Sequence, residues 1–199
     1  MSVADEIETK FAIETFETIR AALVAVRGVR LSRRFEENIV LDTPDGTLKQ
    51  RNVLLRLRRD AASRVTLKLP ADAPSGSSLK VRREIETEVT DLAALEAVFL
   101  HLGYKPCLRY EKVRETWRVD ATLVCLDTLP FGRFLEIEGT ATAIPLLAER
   151  LGLSMHQALP QTYHELHQAF LKAQGLPPAG DFVFPPEARQ ELLAHLSTT

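Results

Sequence analysis

The chain has 199 residues, 45% of them hydrophobic and 26% charged, with a formal net charge of -2, which suits one sizeable soluble domain with a real core. That balance argues against a nucleic-acid-binding surface or a membrane-seeking basic tail. Cys107 and Cys125 are too few for a disulfide framework and lack metal-site spacing. With no signal-like segment before Asp5 and no apolar run near the roughly 18 residues of a membrane helix, we expect a cytoplasmic protein with reduced thiols.

Glu6, Glu8 and Lys10 stand two apart. As a helix they would spread around the cylinder, whereas as a strand over about residues 5–13 they share one face opposite Ile7, Thr9 and Phe11. Phe16, Ile19, Leu23 and Val26 recur at helical spacing, which predicts a helix over 14–26 stopped at Gly28. A strand over 31–42 puts Phe35, Ile39 and Leu41 on one face and Asn38, Val40 and Asp42 on the other. Asp42-Thr43-Pro44-Asp45-Gly46 is turn chemistry, and 47–52 has room for one helical turn. Residues 53–59 and 64–69 read as a hairpin, with Arg56 and Arg58 on one strand and Thr66 and Lys68 on the other. Residues 70–79 read as a loop with no basic residue before Lys80, so no phosphate-gripping role is assigned to it. In the next strand, 81–89, Arg82 alternates with Glu84, Glu86 and Glu88, which favours Arg82 over Arg83 for the inward face. Asp91 caps a helix over 92–102 that Gly103 ends. Strands follow over 105–119, 122–129 and 133–139. The first carries Tyr110, Lys112, Arg114 and Thr116 on one side, the second Cys125 and Asp127, the third Glu136 and Glu138. Helices are predicted over 143–151 and 163–174, and a further weak one over 185–196. We take 1–174 as the domain and 175–199 as a tail that either caps an opening or trails.

A wet antiparallel face normally mixes Ser, Thr, Lys and Glu without repeated spacing. Here Glu6/Glu8, Arg56/Arg58, Glu84/Glu86, Lys112/Arg114 and Glu136/Glu138 are like-signed pairs at i and i+2. Eight such strands suit an α+β fold, a closed antiparallel β-barrel forming a tunnel with helices packed outside. Desolvating both signs of charge costs several kcal/mol per ion, so the interior is expected to be wet and to hold ligands. The alternative is a lining of mutually neutralising salt bridges. Clustered carboxylates are hard-oxygen ligands for Mg²⁺ or Mn²⁺, and paired Arg and Lys clamp phosphate oxygens. Together they suggest a triphosphate threaded through the barrel.

With these residues laid out, the chain resembles the CYTH family of triphosphate tunnel metalloenzymes over roughly residues 4–172. The resemblance rests on Glu6-Ile7-Glu8-Thr9-Lys10 followed in order by Leu41-Asp42-Thr43, Leu55-Arg56-Leu57-Arg58, Leu67-Lys68, Arg82-x-Glu84-x-Glu86, Lys112-x-Arg114, Asp127, Gly132, Glu136-x-Glu138 and Tyr163-His164-Glu165-Leu166. The resemblance implies an eight-stranded tunnel. It implies that Glu6, Glu8 and Glu138 hold Mg²⁺ or Mn²⁺, with Glu136 and Asp127 nearby on the metal side. Lys10, Arg56, Arg58, Lys68, Arg82, Lys112 and Arg114 are then the phosphate ligands. Lys10 doubles as a candidate catalytic acid, and Glu84 and Glu86 would place a second metal or the attacking water. The implied activities are hydrolysis of tripolyphosphate or thiamine triphosphate and cyclisation of ATP to cyclic AMP with release of pyrophosphate. A polyphosphate- or nucleotide-binding module without turnover is the non-enzymatic alternative. No base-recognition motif is evident, which favours the hydrolase. Trp117 and Phe131 are candidates for stacking on a base or for packing, and Arg109 alternates outward. The five histidines lack metal spacing. Substrate and oligomeric state, monomer or homodimer, stay open at this level.

Overall fold

The computed structural model describes residues 2–71 and 79–197. Eight strands form a closed barrel, antiparallel throughout: β1 (Ser2–Ala12), β2 (Val29–Asp42), β3 (Leu54–Arg59), β4 (Ser63–Pro70), β5 (Lys80–Glu88), β6 (Lys105–Val119), β7 (Thr122–Leu129) and β8 (Gly132–Glu138). The order around the wall is β1-β5-β4-β3-β2-β6-β7-β8, and β8 closes on β1. The helices are α1 (Phe16–Ala25), α2 (Thr47–Gln50), α3 (Leu92–His101), α4 (Ala143–Arg150), α5 (Tyr163–Ala173) and α6 (Pro186–Ser197), with a 3₁₀ turn at Met155–Gln157. The expected α+β tunnel is present. The loop expected over 70–79 falls mostly on residues 72–78, outside the described residues, and Pro70 and Lys80 belong to the flanking strands. No described helix is long and apolar enough to cross a membrane.

Period-two alternation sorts the side chains. Odd-numbered positions of β1, β6 and β8 and even-numbered positions of β7 point outward: Phe11, Trp117, Val124, Leu126, Leu135 and Ile137 are buried with Phe16, Ile19 and Leu23 of α1 and Ile144 and Leu147 of α4. Trp117 is thus packing, and its indole N–H donates to Glu115 Oε1 at 2.7 Å. A second cluster joins Leu41, Leu55 and Leu57 to Leu92 of α3. α1 stops with Arg27 at φ 61°, while the Gly28 N–H donates to Leu23 O at 2.7 Å. A Cβ on Gly28 would lie 2.9 Å from that same oxygen. The expected glycine stop is real, but it acts through close approach, one residue after the left-handed position.

At one end of the barrel the inward face turns apolar. Val40, Tyr110, Leu129, Phe134 and Phe182 are buried together, with Leu54, Leu108, Leu159, Tyr163 and Leu166 packed against them. α5 lies over this end, its start fixed by a capping box in which Thr162 and Glu165 satisfy each other's backbone N–H groups. The segment leading to α5 is tied down where the Leu159 N–H donates to Lys10 O at 2.7 Å. Phe131 packs here against Phe134, Phe182 and His167, away from the charged interior. The tail does not trail: Phe182 bridges to β6 and joins the cluster at this end, and Arg189 of α6 pairs with Glu37 at 2.6 Å and Glu111 at 2.9 Å on the outside of β2 and β6.

Leu135 is fully buried in the largest cluster. Leu135→Ala is expected to cost about 2–5 kcal/mol through lost transfer and cavity terms, read as a lower urea midpoint with unchanged m-value.

Candidate active site

Glu6, Glu8 and Lys10 of β1 face the lumen together with even-numbered positions of the other strands, except in β7, where Cys125 and Asp127 do so, and register brings them level. Across β1 and β8, Glu8 pairs with Glu138 and Lys10 with Glu136. Across β2 and β6, Glu36 pairs with Lys112 and Arg34 with Arg114. Across β4 and β5, Lys68 pairs with Glu84 and Thr66 with Glu86. A cavity of about 320 Å³ is lined by Arg34, Arg58, Arg64, Arg114, Glu138 and Cys125, beside Leu31 and Leu123 at the end away from α5.

Glu6, Glu8 and Glu138 each bring a carboxylate oxygen to within 4.8 Å of the other two. Lys68 pairs with Glu6 and lies 3.0 Å from Glu84, Lys80 is 3.2 Å from Glu8, and Arg114 Nη1 is 3.6 Å from Glu138. Two of these cations are shared, Lys68 with Glu84 and Arg114 with Asp127 and Glu136, so together they do not neutralise the cluster. Burial, opposed by Arg114 but reinforced by Glu136, Glu6 and Glu8, pushes the Glu138 carboxyl up to about 7. An oxygen-only set short of positive charge fits a hard divalent cation such as Mg²⁺ or Mn²⁺.

The structure does not bring Asp127 and Glu136 into that set. Asp127 is fully buried. It accepts from Lys112 Nζ at 3.0 Å, from Arg114 Nε at 2.7 Å and Nη2 at 2.6 Å, and from the Tyr163 hydroxyl at 2.8 Å. Glu136 pairs with Lys10 at 3.0 Å and with Arg114. Burial disfavours its charge, but Lys10, Arg114 and Lys112 hold its carboxyl well below the usual range. Conversely, burial works against the Lys10 ammonium, yet Glu136 and Glu8 keep its pKa raised. Lys10 also lies 4.2 Å above the Tyr163 ring.

Arg56 differs from these paired groups. Its side chain is buried, its nearest carboxylates, Glu84 and Glu86, are each 3.9 Å away, and its bonds to Thr66 (3.3 Å) and Tyr110 (3.4 Å) are long. Its Nε has no hydrogen-bond partner among the described residues. Such a buried donor is costly unless an acceptor arrives. Arg58 donates to Asn38 Oδ1 at 3.1 Å and sits 3.5 Å from Glu36. Glu86 accepts from Thr66 at 2.7 Å. Arg82 faces inward as alternation required, but its guanidinium turns to the rim and binds the Asn52 carbonyl at 2.8 Å and side-chain oxygen at 2.6 Å.

Glu36, Asn38, Arg64, Tyr110 and Tyr163 were not assigned to the site from the sequence. Alternation with Asn38 and Lys68 carries a signal for Glu36 and Arg64. Tyr110 already shares a face with Lys112. Burial raises the Tyr110 phenol, but Arg56, Arg58 and Lys112 pull it below its ordinary value. Tyr163 reaches the lumen from a helix, and no strand period could reveal it. Burial above all, reinforced by Glu138, Asp127 and Glu136 and opposed by Arg114, pushes the Cys125 thiol well up and keeps it protonated.

A closed antiparallel barrel lined by opposed carboxylates and cations is a tunnel-type ligand site. The chain belongs to the CYTH domain family, which matches residues 4–163. A Methanocaldococcus jannaschii protein provisionally named an adenylate cyclase is 28% identical over 142 residues, covering 70% of this chain and 79% of the relative. A Vibrio parahaemolyticus structure with the same provisional name superposes with a TM-score of 0.71 at 22% identity, over 81% of this chain and 97% of that one. A Hippeastrum protein, provisionally an adenylyl cyclase but with a dominant triphosphatase activity, gives a TM-score of 0.55 at 20% identity, over 88% and 91% of the two chains. At these identities the two structures speak for the fold alone.

The raised Glu138 carboxyl has a consequence for metal-free protein. Between the ordinary carboxyl value of 4.5 and about 7, the unfolded chain releases its proton first, so this group's contribution to stability falls as pH rises and is fully lost above that window. The loss is of order 3 kcal/mol. With EDTA present, Glu138→Gln is therefore expected to gain on wild type in urea midpoint as pH rises from about 5 to about 8; a pH-independent difference would contradict this.

Proposed function

We propose that the protein hydrolyses a triphosphate, inorganic or organic, with the help of Mg²⁺ or Mn²⁺ held by Glu6, Glu8 and Glu138. The observation that carries this reading is the coexistence in one lumen of a carboxylate cluster short of a cation and a buried guanidinium short of an acceptor. A metal-bound polyphosphate supplies both. Membership of the family supports it, and the Hippeastrum protein shows that this fold can carry a triphosphatase activity.

Arg56 would donate to phosphate oxygens from the β3 wall and Lys68 from β4, while Lys112 and Arg114, oriented by Asp127, would contribute from β6. The bound ion, when present, neutralises phosphate charge and lowers the pKa of a water. Glu84 and Glu86, already beside Arg56 and Lys68, would orient the attacking water. Lys10, kept charged by Glu136 and Glu8, would stabilise the leaving oxygen as the bridging P–O bond breaks. The cation-rich lumen also admits ATP, and the name of the Methanocaldococcus relative favours a cyclase as the second reading.

Incubation with Mg²⁺ or Mn²⁺ and tripolyphosphate, thiamine triphosphate or ATP separates the readings. Orthophosphate release is expected; cyclic AMP with pyrophosphate would instead establish the cyclase, and binding without turnover a non-catalytic module. Glu6→Gln and Arg56→Ala should each lower turnover by about a hundredfold or more, with unchanged circular dichroism. EDTA should abolish activity and added Mg²⁺ or Mn²⁺ restore it. Near-normal rates in both variants would refute the tunnel assignment.

A further inference from the structure

Part of the tail beyond the matched family region is built into the barrel wall. β7 pairs with β6 only from Val113 onward, so the earlier half of β6 has no neighbouring strand on that edge among the described residues. Phe182 fills one step of the gap. Its N–H donates to Arg109 O and its carbonyl accepts from the Glu111 N–H, both at 3.1 Å, in a parallel bridge to Tyr110. Contacts on either side hold it there: Asp181 Oδ1 accepts from the Arg109 N–H at 2.7 Å, and Glu111 accepts from the Phe184 N–H at 3.0 Å and from Arg189 Nε at 2.9 Å.

Bridged residues project to the same side of a sheet. Phe182, 3% exposed, stacks on Tyr110 with ring centroids 5.1 Å apart and an interplanar angle of 27°. His167 and Phe131 close around its other sides. The Tyr110 hydroxyl reaches the lumen and accepts from Arg56 Nη1 at 3.4 Å. A carboxylate at that place would neutralise Arg56 and compete with phosphate for it. A phenol oxygen can aim the guanidinium and leave its charge available. The tyrosine ring has few torsions of its own, and the stack removes most of that freedom.

We propose that Tyr110 and Phe182 are positioning residues of the phosphate site: the tail holds the Tyr110 ring through Phe182, and Tyr110 holds Arg56 toward the substrate phosphates. This rests on the triphosphate reading above.

The test uses the full chain with Mg²⁺ and tripolyphosphate. Tyr110→Phe keeps the ring and the stack but removes the hydroxyl, and should raise KM about threefold to tenfold with kcat changed less than about twofold. Phe182→Ala should move KM the same way. Loss of folded protein alone would instead lower apparent kcat and leave KM in place. In an Arg56→Lys background the effect of Tyr110→Phe should shrink toward nothing, because the two act in series. An unchanged KM in Tyr110→Phe, or an undiminished effect in that background, overturns the proposal. If Phe182→Ala does not fold, Tyr110→Phe and the double variant decide it. Wild-type kinetics in Arg56→Lys would count against the triphosphate reading at Arg56. A weakened Arg56→Lys beside an unaltered Tyr110→Phe overturns only the positioning role.

Discussion

Asp127 is the group on which the interior depends. It has no exposure to solvent and takes four hydrogen bonds from Lys112, Arg114 and Tyr163. A buried carboxylate left unpaired costs several kcal/mol, and so would each of its cations. From it, pairs run through Arg114 to Glu136 and Glu138, and through Lys112 to Glu36 and on to Arg58. One connected network therefore ties β8, β7, β6, β2 and β3 to the start of α5. Closing the barrel and arranging its charges are a single problem: the wall cannot close around these side chains unless they pair, and they cannot pair at these distances unless it closes.

Within that network the chemistry lies where pairing fails. Lys10, Lys112 and Arg114 are satisfied by carboxylates, so a ligand has to compete with Glu136 or Asp127 for them. Glu6, Glu8 and Glu138 are too many for the cations beside them, and Arg56 is too far from its carboxylates. These two deficits have opposite sign and share the lumen. A ligand carrying a bound cation and several anionic oxygens relieves both at once, whereas a simple anion would leave the carboxylate cluster unrelieved and a bare metal would leave Arg56.

Much of this was legible from alternation. A period of two over eight strands places Glu6, Glu8, Lys10, Arg56, Arg58, Lys68, Glu84, Glu86, Lys112, Arg114, Asp127, Glu136 and Glu138 on one face, and the structure puts that face inside. Alternation decides the face but not the height along the barrel. Register decides that, pairing Glu138 with Glu8 and Glu136 with Lys10. Two glutamates that look alike in sequence thus acquire opposite surroundings, one among carboxylates and one among cations. Arg82 shows the same limit, since its inward parity was right but its height takes it to Asn52 at the rim. Tyr163 and Phe182 were illegible for another reason. Each enters from outside the eight strands, one from a helix start and one from a single bridge, and neither leaves a period to read.

The apolar end makes the charged end possible. Val40, Leu54, Leu108, Leu129 and Phe134 belong to strands that also carry inward ionic groups, and α5 with Phe182 covers them. Excluding water from that floor lowers the local dielectric around Lys10 and Asp127, which strengthens pairs that are complete and penalises those that are not. The same floor leaves the cavity beside Leu31 and Leu123 as the place where solvent meets the charges. Asp127 and Glu136 on the floor side have fixed partners, while Glu138 and Arg58 line the cavity. The tail contributes from the far side, because Phe182 completes the floor and at the same step touches Tyr110, whose hydroxyl accepts from Arg56.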